Sequence, residues 1–165
     1  MSYRGIGGHY WDKNSPHVSR GEYLLEEASP CEFGEPAILI GTGVIATPFN
    51  KRWVRSYNVS AGTIQTMGVF IEWRRAINAW TAEDFALRGS HEMKRDITIF
   101  ERGACSIKNV GSGDIEVGDT VIPANGGCEK MTASGQFTLG KALQKIESLR
   151  RGLVFVDPDY EKPTI

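Results

Sequence analysis

The chain has 165 residues, a formal net charge of −1, 41% hydrophobic and 24% charged residues, which suits one globular domain with a real core. Its basic residues fall in small groups (Lys51-Arg52-Arg55, Arg74-Arg75, Lys94-Arg95, Arg150-Arg151), so the electrostatic footprint of a nucleic-acid binder is missing and each group reads as a solvated or partner-facing edge. No stretch approaches the ~18 apolar residues of a membrane helix, and the first residues carry no apolar run of a secretory signal.

Residues 1–35 contain Gly5, Gly7, Gly8, Gly21, two proline turns and the aromatics Tyr3, Tyr10, Trp11 and Tyr23. They sustain neither a strand nor a helix period, apart from a short helical turn over 22–28. The segment is predicted to be an extended N-terminal arm whose aromatics bury on the parent domain or on a neighbouring molecule. Residues 36–165 form the predicted β-rich domain.

Pro36 opens short β-rich runs over 37–40 and 43–46. Alternation of Trp53, Arg55 and Tyr57 with Val54, Ser56 and Asn58 marks a strand with two unlike faces. Residues 63–73 give the longest strand candidate, with Gly68 as a bend or bulge. A single short helix is predicted near 82–88, capped by Thr81, with Glu83 and Asp84 in its first turn and Gly89 beyond it. Strand pattern resumes at Ile97, Ile99 and Cys105–Ile107.

From Gly103 to Asp157, short apolar runs alternate with glycine-bearing turns at Gly111–Gly113, Gly118-Asp119, Asn125-Gly126-Gly127 and Gly135. This spacing predicts a compact all-β module. One stretch has two readings. Leu139, Ala142, Leu143, Ile146 and Leu149 fall at helical spacing, which predicts a helix over 141–151. The competing reading is a strand over 137–146, a turn over 147–151 and a strand over 153–157.

Candidate chemistry is sparse. Gly41-Thr42-Gly43 and Gly5-Ile6-Gly7-Gly8 lack the lysine and hydroxyl of a phosphate loop and read as turns. His9, His17 and His91 are scattered and read as surface histidines. Cys31, Cys105 and Cys128 are odd in number and far apart, which disfavours a disulfide framework or a zinc site; Cys105 and Cys128 lie in apolar strand candidates and read as buried small hydrophobes. Asn58-Val59-Ser60 matches a glycosylation sequon by chance. The expectation is a protein that is not an enzyme and has no cofactor and no metal. Biotinyl and lipoyl carrier domains contain Gly-Asp repeats similar to Gly113-Asp114 and Gly118-Asp119, with Lys130 as the modified lysine. Their lysine sits at a hairpin tip, whereas here the tip falls at Asn125-Gly126-Gly127.

The same block resembles the small capsid decoration proteins of tailed bacteriophages, also called structural cement or head-stabilising proteins. The resemblance rests on Gly118-Asp119-Thr120-Val121-Ile122-Pro123, Asn125-Gly126-Gly127, Leu139-Gly140-Lys141-Ala142-Leu143 and Gly152-Leu153-Val154-Phe155-Val156. It covers about a third of the chain well, extends loosely over 36–67, and fails at 1–35 and 73–95. It implies a β-sandwich or barrel-like domain of the β-tulip type, and it favours the hairpin over 137–157. It also implies a virion structural protein on the outer capsid surface, made in the host cytoplasm. Such a protein stabilises the capsid by bridging neighbouring major capsid proteins, self-associates as a homotrimer, and contacts neither nucleic acid nor membrane directly. In the arm, Tyr3, Tyr10 and Trp11 are the expected capsid or neighbour contacts, because buried aromatics dominate interface energetics. The alternative from a neighbouring class is a tail, baseplate or head-fibre attachment β-domain.

Overall fold

The computed structural model describes residues 17–25, 30–40, 52–74 and 96–158, and every regular element among them is a strand. In chain order these are β1 (His17–Leu25), β2 (Pro36–Leu39), β3 (Arg52–Ser56), β4 (Gly68–Phe70), β5 (Asp96–Lys108), β6 (Thr120–Ala124), β7 (Gly127–Lys130), β8 (Gly140–Ala142) and β9 (Arg151–Val156). They are hydrogen-bonded in the order β1-β3-β2-β4-β5-β9-β8-β6-β7, and β1 also pairs with β5.

That extra pairing closes β1, β3, β2, β4 and β5 into a five-stranded barrel. Closure removes both sheet edges, which would otherwise recruit other chains. Only the β1–β3 contact in this ring is parallel. Its interior holds Tyr23, Leu25, Val54, Met67, Phe70, Ile97 and Ile99. A fully buried side chain of this size contributes about 1.5–3 kcal/mol.

β5 is 13 residues long and continues beyond the barrel. Its first half pairs with β1 and β4, and its second half, from Gly103 to Lys108, pairs with β9. β9, β8, β6 and β7 then curl around a second core of Cys105, Ile107, Ile115, Val121, Cys128, Leu139, Ile146, Val154 and Val156. The curl returns to its origin where Val110 N–H donates to Cys128 O at 2.9 Å, beside the Asn109–Cys128 bridge. A Cβ at Gly127 would collide with the Lys108 carbonyl, so this closure requires glycine there. Val69 packs into the second core from β4, and Phe100 packs against it from β5. The two rings therefore share one strand and have contiguous cores.

The glycine turns fall between strands as expected. Gly118, Gly126 and Gly135 take left-handed φ of 84°, 91° and 85°, and Asn125-Gly126 is the two-residue tip between β6 and β7. Several expectations change. Residues 141–151 are not a helix: β8 ends at Ala142, Ile146 bridges Ile115, and the Glu147 carbonyl accepts from Arg150 N–H at 3.0 Å in a turn before β9. The hairpin reading holds, with a strand shorter than 137–146. The long strand over 63–73 reduces to β4. The Thr66 hydroxyl donates to Ala37 O at 2.7 Å and lies 2.9 Å from Gly68 O, so a side chain replaces the ladder there. Gly68 bends the strand at φ 134°, and a Cβ there would strike Phe100 O. Residues 17–25 of the expected arm form β1, with Tyr23 and Leu25 in the barrel core and Leu24 also buried. The helix near 82–88 lies outside the described residues.

Candidate functional site

The three cysteines are placed as structural groups. Cys31, Cys105 and Cys128 are free and buried. Burial pushes the Cys31 and Cys128 thiols up to about 12, with the Arg74 charge opposing this at Cys31, and it also raises Cys105. A thiol held this way is not a nucleophile at neutral pH. No group of three or more His, Cys, Asp or Glu side chains is arranged to hold a metal ion among the described residues. Lys130 sits at the end of β7, past the hairpin tip, with Nζ 2.9 Å from Asp119 Oδ2. The same Asp119 oxygen accepts Glu116 N–H at 2.8 Å. That backbone bond, with Lys130 beside it, holds the carboxyl below its ordinary range.

Asn109 is a buried polar group with a structural task. Its Nδ2 donates to Gly113 O at 2.8 Å and Ile146 O at 3.0 Å, and its Oδ1 accepts Gly111 N–H at 3.0 Å. One side chain thus stitches the turn after β5 to the segment before β9.

The feature suited to function is a surface. Along β5, Gly103, Cys105 and Ile107 face inward, so Ala104, Ser106 and Lys108 face outward. The same alternation turns Arg151, Leu153 and Phe155 of β9 outward, while Gly152, Val154 and Val156 are buried. On β8, Lys141 is exposed between buried Gly140 and Ala142. Register stacks these residues in rows. Lys108 lies opposite Arg151, Ser106 opposite Leu153, and Ala104 opposite Phe155, with Lys141 on the far side of Phe155. Leu143 N–H donates to Leu153 O at 2.9 Å, which brings these leucines side by side at 46% and 43% exposure.

The rim of this face is held in place. Arg151 Nη1 and Nη2 donate to Ser106 O at 3.2 Å and Phe33 O at 3.0 Å, which docks the exposed Phe33 beside it. The Arg102 guanidinium stands 5.6 Å from the Phe155 ring centre and 3.6 Å from Asp157 Oδ1. Gly118 N–H donates to Ala142 O at 2.8 Å, so the turn bearing the exposed Val117 lies next to Leu143. The outer side of β6 is different. Gly62 N–H donates to Pro123 O at 2.9 Å and Gly62 O accepts Phe137 N–H at 2.8 Å, so a loop covers Ile122, which is 1% exposed. On the face made by β5, β9 and β8, the Phe33-Gly34 turn lies against Ser106 and Arg151 at one end, and the rest has no such cover among the described residues.

The sequence-predicted contacts Tyr3, Tyr10 and Trp11 lie outside the described residues. The residues of the outer face were not singled out from sequence, although Arg150-Arg151 was read as a partner-facing edge. A period of two across Arg151-Gly152-Leu153-Val154-Phe155-Val156 is hidden, because both faces of β9 are largely apolar. No protein-family model and no curated protein matches the chain.

Proposed function

We propose that this chain is a virion structural protein of the capsid-decoration type. It binds the outside of an assembled capsid and stabilises it by bridging neighbouring major capsid proteins. The observation that supports this reading is the second ring, built on the same glycine turns and strands as the decoration-protein resemblance, with one broad sheet face left largely open among the described residues. The β-tulip architecture, the homotrimer and the contacts of Tyr3, Tyr10 and Trp11 belong to the same proposal. The physical logic is avidity: one oligomer gripping several subunits converts weak contacts into a clamp. Titrating the purified protein onto undecorated, expanded capsids tests it. Saturable binding and a raised capsid melting temperature are expected, and no binding at about micromolar concentration, the affinity range of weak specific contacts, sinks the reading. Labelling in electron micrographs separates it from a tail or head-fibre attachment domain: many copies spread over the head support decoration, and a few at a vertex do not.

A further inference from the structure

We propose that the outer face of β5, β9 and β8 is the docking surface, and that it takes an acidic, partly apolar patch of a partner protein. The inference deepens the capsid reading and rests on it only for the identity of the partner.

Charge is the first argument. Lys108, Lys141 and Arg151 lie on this one face, and none forms a salt bridge among the described residues. Lys108 stands directly across the ladder from Arg151. Like charges in that position disfavour the bare sheet, and an anion placed between them removes the penalty. With Arg102, the face carries four cations, against Asp157 beside Arg102 and Glu35 within electrostatic reach of Arg151, on a chain whose net charge is −1. Arg151 is also pre-positioned by its two carbonyl acceptors, so ordering it on binding costs little side-chain entropy.

The apolar centre selects the class of partner. Leu143 and Leu153 pair between the cations, with Phe155 in the next row. Branched aliphatic side chains match apolar protein surface and gain nothing from a phosphate backbone. A second copy is disfavoured for the same reason that an acidic partner is favoured. A two-fold contact would set Lys108, Lys141 and Arg151 against their own kind.

The test uses the full chain, undecorated capsids and a soluble random copolymer of glutamate and tyrosine. Wild type should bind the copolymer with strong salt dependence. Lys108→Glu/Lys141→Glu should weaken both copolymer binding and capsid retention by about tenfold or more, with circular dichroism unchanged and a urea midpoint equal to or above wild type, since the reversed charge at position 108 would face Arg151 as an opposite charge. Leu153→Ser, at an exposed site, should weaken both without altering the fold. If charge reversal and Leu153→Ser leave capsid retention unchanged and the copolymer does not bind, the docking face is overturned while the capsid reading stands. Copolymer binding through this face without capsid binding keeps the face and removes the capsid. Tighter binding to duplex DNA than to the copolymer, or a change in sedimenting mass on charge reversal, overturns the partner class.

Discussion

Leu149 is the described non-glycine residue with a left-handed backbone, φ 63°. Its side chain is 66% exposed, so the strain is not compensated by burial. A branched L-residue in this region costs about 1–2 kcal/mol. Leu149→Gly should therefore raise stability by about 1 kcal/mol, since glycine's greater freedom in the unfolded chain returns part of the gain; a urea midpoint measures it. Cys128 makes the opposite kind of statement. Burial raises its thiol from 9.0 to about 12, so between those values the folded chain holds a proton that the unfolded chain has lost. Its contribution is complete below pH 9 and disappears as pH rises toward 12. The urea midpoint should fall over that window, and less steeply in Cys128→Val. At this scale the apolar strand runs around Cys105 and Cys128 supported reading those two as buried thiols, which they are, while the burial of Cys31 was not legible. The sequence did not single out Lys108 or Lys141 and marked Arg150-Arg151 only as a solvated or partner-facing edge, because Lys108 and Arg151 meet through a register that spans more than forty positions.

At the scale of elements, β9 separates a core face from an open one. Ile107 of β5 lies opposite Gly152 of β9 and is fully buried, whereas Leu153 faces solvent. Ile107→Ala should cost about 2–5 kcal/mol through lost burial and a cavity, and Leu153→Ala under about 1 kcal/mol; equal costs in chemical denaturation would mean that the outer face is covered. Turns were legible in the sequence because their chemistry is local: Gly118, Gly126 and Gly135 each mark a left-handed position. The helical period over 139–149 misled because Leu139, Ala142 and Ile146 do share one interior, reached from the residue before β8, the end of β8 and a bridge, while Leu143 and Leu149 point outward. β1 was illegible for a different reason. Its ladder to β5 shifts register between His17 and Val18 and again between Ser19 and Tyr23, and a bulged strand loses the alternation by which strands are recognised. The long run over 63–73 failed where the Thr66 hydroxyl took over bonds that a ladder would have made.

At the scale of the molecule, the shared strand decides how the protein comes apart. Neither ring closes without β5, and Val69 reaches from the first ring into the core of the second. Unfolding should therefore be a single cooperative event. Amide signals of Val54, in the first ring, and Val154, in the second, should vanish at one urea concentration, and two separated midpoints would contradict this coupling. The same strand has a mechanical consequence. At about 3.3 Å per residue, β5 is a beam some 40 Å long, clamped by β1 and β4 over one half and by β9 over the other. A tug along its axis loads many ladder bonds in shear at once, instead of peeling them one by one. A push on either ring is carried into its neighbour along this strand, through the hand-over at Gly103.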